Sequence, residues 1–193
     1  MVDALAHIPL MARGPLDGIA LAASKAFTLT QGAQAARFSL RGESALAPAL
    51  AGAFGPALPT RLGAAADAGG RAAIWLGPDE WLLIAPGEDP AALGARLESA
   101  LASHAHSLVD VSQRQIAVEV SGALARRALS AGCPLDLRDD AFPVGFATRT
   151  ILAKSEIVLW RRGPARYHLE VWRSFAPYVA DVLTEAARRA PTS

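Results

Sequence analysis

Cysteine is nearly absent from this 193-residue sequence, which contains Cys133 alone. A single cysteine excludes an internal disulfide, so the sequence predicts a protein of a reducing compartment, the cytoplasm. Lysine is scarce as well, since only Lys25 and Lys154 occur and arginine supplies most of the positive charge. With 19 basic and 18 acidic residues the net charge is +1, which argues against a chain-wide surface for nucleic acid.

Long apolar segments are also missing. The longest uncharged run, residues 44–60, is rich in alanine and broken by three prolines. It therefore does not match a membrane span, which needs about 20 strongly apolar residues. The N-terminus lacks a basic region followed by an apolar run, so no signal peptide is expected. The glycines form neither a dinucleotide-binding turn nor a P-loop, and no serine lies in a nucleophile elbow.

Hydrophobic periodicity indicates an α+β protein with two halves. Residues 1–35, punctuated by glycine and proline, predict an N-terminal arm that is either a mobile terminus or a segment packed on a partner. Residues 36–105 form the first predicted half and residues 106–193 the second, and we expect the halves to pack as one globular unit. The sequence therefore predicts three segments, of which the two halves together form one globular unit.

The first half alternates between strand and helix patterns. Its predicted elements are a strand at 37–41, a helix over 44–54, a loop over 55–70, a hairpin of 72–76 with 80–84, and a helix after Asp89-Pro90. On that last helix Leu93, Leu97 and Leu101 share one face.

The second half follows a similar order. Its predicted elements are a strand over 115–120, a helix capped by Ser121, strands near 147–152, 157–160 and 167–171, and a helix from Ser174. Matching positions in the halves, such as Trp75 and Trp160, are offset by about 80–86 residues. The sequence therefore predicts two related strand-and-helix halves, with antiparallel or mixed sheets covered by helices.

Four short segments occur in a fixed order within the second half and carry a family resemblance. They are Val109-Asp110-Val111-Ser112-Gln113-Arg114, Gly132-Cys133-Pro134-Leu135-Asp136-Leu137, Ala141-Phe142-Pro143-Val144-Gly145 and Arg173-Ser174-Phe175. Together they resemble the gamma subunit of heterotetrameric sarcosine oxidase. The resemblance extends over residues 75–188 and is best over 108–178.

The resemblance implies both a fold and a function. The fold would be similar to part of the glycine-cleavage T-protein, an aminomethyltransferase. The function would be that of a non-catalytic gamma subunit, with alpha, beta and delta subunits as partners. The assembled enzyme demethylates sarcosine oxidatively to glycine, reduces oxygen to peroxide and passes the one-carbon unit to tetrahydrofolate. FAD, FMN, NAD and tetrahydrofolate would be bound by the other subunits.

Two alternatives stay open at this point. The first is a stand-alone folate-binding protein of the aminomethyltransferase superfamily, although only Gly132-Cys133 of that group's Lys-Gly-Cys-Tyr-x-Gly-Gln-Glu motif is present. The second is an accessory subunit of a related amine-oxidising flavoenzyme. As an orphan subunit would expose an apolar surface, we also expect self-association of the isolated chain.

Asp110, Ser112 and Arg114 are the candidates for a cofactor-binding site. Folate-binding relatives have a similar Asp-x-Ser segment beside the pterin pocket. The structural interpretation is a turn before a strand, in which Asp110 and Ser112 bond the local backbone and Arg114 pairs with a carboxylate.

Cys133 and the histidines give no strong site. Cys133 follows a helix C-terminus, whose dipole disfavours a thiolate, so we expect a packing role. His104 and His106 share a strand face only if a strand forms there, and no cluster completes a metal site around them or around His7.

Arg149, Trp172, Arg173 and His168 are the residues predicted to face a partner, with a solvated surface position as the alternative for the two arginines. Tryptophan and arginine are enriched at interface hot spots, and Trp172 is followed directly by Arg173. His168 alternates with two apolar neighbours, so it is expected on the opposite strand face, towards a partner or solvent.

Overall fold

Residues 14–190 are described by the structure, a computed structural model. The ten strands within this range are β1 (Thr28–Gln31), β2 (Ala35–Gly42), β3 (Ala65–Ala68), β4 (Arg71–Gly77), β5 (Glu80–Pro86), β6 (His106–Asp110), β7 (Gln115–Ser121), β8 (Ala147–Leu152), β9 (Ser155–Gly163) and β10 (Arg166–Trp172). The four α-helices are α1 (Leu46–Phe54), α2 (Pro90–Leu101), α3 (Ala125–Ser130) and α4 (Ala176–Arg189).

The strands form two five-stranded sheets, and every pairing is antiparallel. The first sheet has the order β3-β4-β5-β2-β6 and the second β1-β7-β10-β9-β8. Alternate residues of each strand point to opposite faces, so each sheet has one face for helices and one for the other sheet. Helices α1 and α2 cover the first sheet, and α3 and α4 cover the second. The result is four layers, helix-sheet-sheet-helix.

The contact between the sheets is apolar at its centre. The buried residues that meet there are Ala35, Ala72, Ile74, Leu82, Ile84 and Val111 from the first sheet or the turn after it, and Ala147, Val158 and Trp160 from the second. Burying this surface removes it from water and stabilises the packing of one half on the other. We call these two facing surfaces the inner faces.

The first half confirms most of its predicted elements. Asp89 caps α2 by accepting a hydrogen bond from the Ala92 amide at 2.9 Å, and the three leucines of that helix are fully buried. The predicted loop over 55–70 is wrong at its end, because residues 65–68 form the short edge strand β3. Its alanine-rich sequence has neither the alternation nor the β-branched residues that indicate a strand.

The second half confirms the predicted strands but not the two caps. Ser121 is the last residue of β7 and makes no cap, since α3 begins four residues later, after Leu124. Ser174 lies in a single 3₁₀ turn over Arg173–Phe175, which leads into α4 without a side-chain cap.

Two edge strands depart from the predicted division of the chain. Strand β1 lies in the predicted N-terminal arm, yet it pairs with β7 in the second sheet, and Leu16, Phe27 and Leu29 are buried in the second core. Strand β6 lies in the predicted second half, yet it pairs with β2 in the first sheet. The arm over 14–35 therefore packs on its own chain. Its first part, residues 1–13, lies outside the described residues.

Gly122 offers a direct test of the packing of β1 on the second half. It has φ = 108°, and an added Cβ would lie 2.4 Å from the carbonyl oxygen of Ala26. We expect Gly122→Ala to lower the free energy of unfolding by about 1–3 kcal/mol from backbone strain alone, with a further loss from the overlap. Chemical denaturation measures this. Gly69→Ala is the control, because Gly69 has φ = 59° in open space. Equal losses in both variants would contradict the close approach.

Candidate functional site

A chain of four charged side chains, three of them buried, connects the inner faces of the two sheets. Arg37 on β2 donates from Nε to Glu170 Oε2 at 2.6 Å, across the contact between the sheets. His168 Nε2 contacts Glu170 Oε1 at 2.9 Å, and His168 Nδ1 contacts Glu119 Oε1 at 2.6 Å. Arg37, His168 and Glu170 are all buried, and Glu170 is fully so. The network is charge-balanced when the histidine is protonated.

Both ring nitrogens of His168 face carboxylate oxygens, so both must donate, and the ring is held as an imidazolium. Burial lowers the pKa of His168, but the hydrogen bonds and negative charges of Glu119 and Glu170 outweigh it and raise that pKa to about 9. For Glu170, burial raises the pKa, and the opposing bonds and charges of His168 and Arg37 bring it below its usual value. His168 and Glu170 are therefore both charged at neutral pH.

This position of His168 corrects the expectation that it faces a partner or solvent. Strand alternation places its ring opposite the two apolar neighbours, as expected, but that face is covered by the first sheet. The Trp160 ring lies edge-on to it, with a centroid separation of 5.9 Å. His168 is thus a residue of the contact between the sheets.

The raised pKa predicts how stability depends on pH. The folded chain binds the proton of His168 more tightly than the unfolded chain, in which the pKa of this histidine is near 6.5. This stabilisation is complete below pH 6.5 and is lost as the pH rises to about 9. We expect a loss of about 3 kcal/mol in the free energy of unfolding over that range. Urea titrations from pH 6 to 9.5 measure this loss. The His168→Gln variant should show little dependence of stability on pH in this range. The control variant His106→Gln should largely keep the dependence.

Asp110, Ser112 and Arg114 lie together at the turn between β6 and β7. Asp110 Oδ1 accepts from the Ser112 amide at 2.8 Å and from its hydroxyl at 2.5 Å. Ser112 Oγ in turn accepts from the Arg37 amide at 2.9 Å. This matches the turn interpretation for the first two residues. Arg114 differs from it, since its guanidinium lies over the Trp172 ring, 5.2 Å from the centroid.

An exposed row of side chains crosses the inner face of the second sheet, from β8 through β9 to the end of β10. Ile151 pairs with Glu156, and the pairing of Val171 with Ile157, extended by one residue, places Trp172 on the other side of Glu156. Two strand spacings of about 4.8 Å therefore separate Ile151 from Trp172. Ile151 is 49% exposed and Trp172 41%. We call Ile151, Glu156 and Trp172 the exposed row.

Two arginines border the exposed row. Arg149, two residues before Ile151, donates from Nη2 to Glu80 Oε1 at 2.5 Å, and so links β8 to the first sheet. The Arg173 amide donates to the Arg114 carbonyl at 2.7 Å, which fixes the end of β10 against the turn. The structure therefore brings Arg149, Trp172 and Arg173 to one end of the second sheet, and excludes His168 from that surface.

The contacts of Cys133 and His106 are those of residues with a structural role. Cys133 is buried in the second core. His106 lies in β6, where its Nε2 contacts Glu98 at 2.9 Å; His7 lies outside the described residues. Across residues 14–190, no three histidine, cysteine or acidic side chains gather as a metal site. In that same range no helix is long and apolar enough to cross a membrane.

Sequence reasoning missed Arg37, Glu119 and Glu170 as members of one network. The available signal was a charged residue between apolar neighbours in the middle of each of three strands. Such a position indicates either an exposed strand face or a buried pair, and only the packing of the two sheets decides between them.

Comparison with known proteins gives one family. The model of the sarcosine oxidase, gamma subunit family matches residues 41–189. The sarcosine oxidase subunit gamma of Corynebacterium sp. strain P-1 is 38% identical over 139 residues, which is 72% of this chain and 68% of that relative. The residues that the family model matches include all four segments on which the sequence resemblance rests.

Solved structures give the same result for the fold. A chain of the heterotetrameric sarcosine oxidase from Corynebacterium sp. U-96 superposes with a TM-score of 0.83 at 32% identity, covering 94% of this chain and 99% of that chain. The glycine cleavage system aminomethyltransferase T from Bartonella henselae superposes with a TM-score of 0.63 at 13% identity, covering 84% of this chain and 49% of that chain. The predicted α+β fold and its likeness to the T-protein are confirmed.

Proposed function

This chain belongs to the sarcosine oxidase gamma subunit family, and from that premise we propose that it is the gamma subunit of a heterotetrameric sarcosine oxidase. The superposition over 99% of a chain of such an enzyme carries the proposal, since almost the whole of that chain has the same fold. The partners are the alpha, beta and delta subunits. The single cysteine supports a cytoplasmic complex.

The proposed role is assembly, with the chemistry performed by the partner subunits. The complex demethylates sarcosine to glycine and passes the one-carbon unit to tetrahydrofolate. FAD, FMN, NAD and tetrahydrofolate belong to the other chains. The contact between the two sheets supports an assembly role, because it fixes the position of the exposed row relative to both halves.

We place the partner interface on the exposed row, with Trp172 at its centre and Arg149 and Arg173 at its border. Trp172 offers a large apolar ring that is held by the Arg114 guanidinium, so little conformational freedom is lost on binding. Arginines at the border can pair with carboxylates of a partner. An isolated chain leaves this apolar surface in water, and we therefore expect it to self-associate.

Co-purification tests the proposal. The chain, tagged and expressed in its own host, is isolated from lysate, and the flavin absorbance, subunit sizes and peroxide production from sarcosine are measured on the eluate. We expect a yellow complex with larger partners that produces peroxide. A colourless chain without partners would overturn the proposal. In that case, quenching of tryptophan fluorescence by tetrahydrofolate would favour a stand-alone folate-binding protein.

A further inference from the structure

All four glutamines of the sequence line a single cavity. Asparagine does not occur, so these are the only carboxamide side chains in the chain. They are Gln31, Gln34, Gln113 and Gln115, and the cavity that they line has a volume of about 410 Å³. We call it the glutamine cavity. Its volume lies in the range of about 300–1,000 Å³ typical of small-molecule sites.

The cavity lies where the two halves meet. One wall is the segment after β1, which Gly32 fixes by donating from its amide to the Ala117 carbonyl at 2.9 Å. The opposite wall is the turn of Ser112 and Gln113, which Ser112 fixes through the Arg37 amide. Each wall is therefore held by a hydrogen bond to a backbone group, and these bonds fix the segments that carry the carboxamides.

Gln115 gives the clearest sign that the cavity is built for a ligand. The residue is only 5% exposed, and its Oε1 has no hydrogen-bond partner among the described residues. A buried acceptor without a donor carries a cost of about 1–3 kcal/mol, so such atoms are rare and need an explanation. The atom has almost no accessible surface where it stands, so a ligand N–H group would supply the donor once the carboxamide turns towards the cavity.

The charged side chains that line the cavity indicate which charged groups the ligand carries. Arg37, which is 2% exposed, lines it while also bonding Glu170 and the Ala35 carbonyl. Arg173 lines it as well, and Asp17 is the acidic side chain on the wall. Guanidinium groups bind carboxylates, whereas Asp17 and the Gln115 acceptor suit an ammonium group.

We propose that the glutamine cavity binds a free α-amino acid, with its carboxylate towards Arg37 and Arg173 and its ammonium group towards Gln115 and Asp17. A second cavity of about 340 Å³ shares Gln34, Ser112 and Gln113 with it and leaves room for a side chain. The proposal rests on the geometry of this chain alone and needs no partner subunit, and Arg173 is the residue that it shares with the proposed partner interface.

Calorimetric titration of the full-length chain tests the binding. The probes are glycine, sarcosine, L-alanine and L-glutamine, with acetate and ethylammonium as the two charged halves. We expect at least one amino acid to bind with a Kd below about 10 mM, and each half-molecule to bind at least about tenfold more weakly. No binding by any of the four amino acids, or equal binding by acetate, overturns the proposal.

Substitution of Gln115 tests the location. Gln115→Leu should weaken the binding of the same amino acid about tenfold, the loss expected for a hydrogen bond to a charged group. Tyr167→Phe is the matched control, because it deletes another buried polar atom without a partner in the described chain, in the second core away from the cavity. Asp17→Asn is a second variant should Gln115→Leu not fold, because Asp17 is exposed and is the other group assigned to the ammonium. Unchanged affinity in the folded variants places binding elsewhere and overturns the proposal.

Discussion

Replacing Glu170 by alanine is expected to lower the free energy of unfolding by about 3–5 kcal/mol, the loss found when one partner of a buried ion pair is removed. Arg37 and His168 would lose the carboxylate between them, since both side chains contact Glu170. Both side chains are buried, so bulk solvent does not replace the lost interactions. Urea denaturation at pH 6.5 measures the change.

Glu156 provides the matched control for Glu170. It is a glutamate on the adjacent strand β9 with a 54% exposed side chain, and its contact with Arg149 is 3.9 Å. Glu156→Ala should therefore change the free energy of unfolding by no more than about 1 kcal/mol. Similar losses in the two variants would contradict the central place of Glu170 in the contact between the sheets.

Replacing Trp172 by alanine is expected to weaken association with the partner subunits by about 2 kcal/mol or more, roughly thirtyfold. The ring is the largest exposed side chain in the row, and truncation also removes the surface on which Arg114 rests. Surface plasmon resonance against the purified partner subunits measures the Kd. Circular dichroism checks that the variant folds.

Leu62→Ala is the control for the interface. Leu62 is 69% exposed, more than Trp172, but lies in the loop before β3, outside the exposed row. Its truncation should leave the Kd within about twofold. A large loss at Leu62 together with an unchanged Kd at Trp172 would move the interface to the surface around that loop and contradict the proposed position.

Local sequence patterns predicted most of the elements, because each strand or helix has its own hydrophobic period. The alternation in residues 115–120 and the leucine spacing of α2 are examples, and both are confirmed. Strand β3 has no such period, and the predicted caps at Ser121 and Ser174 lacked the geometry of a real helix start. Which sheet an edge strand joins depends on long-range pairing, so β1 and β6 could not be assigned locally.

The site was less accessible to sequence reasoning than the fold. The Asp110–Ser112 turn follows from a local hydrogen-bonding habit of these residues and was predicted. The contact of Arg37 with Glu170 joins residues 133 positions apart, and no local pattern reports it. His168 shows the same limit, since alternation fixed its strand face but not what covers that face.

Native mass spectrometry of the material purified from the chain's own host tests the assembly claim most directly. We expect one complex of four different chains that contains a single copy of this 20.1 kDa subunit. The Trp172→Ala variant should shift the population towards the free chain. A spectrum with only the monomer or homo-oligomers of this chain would contradict the role as a subunit.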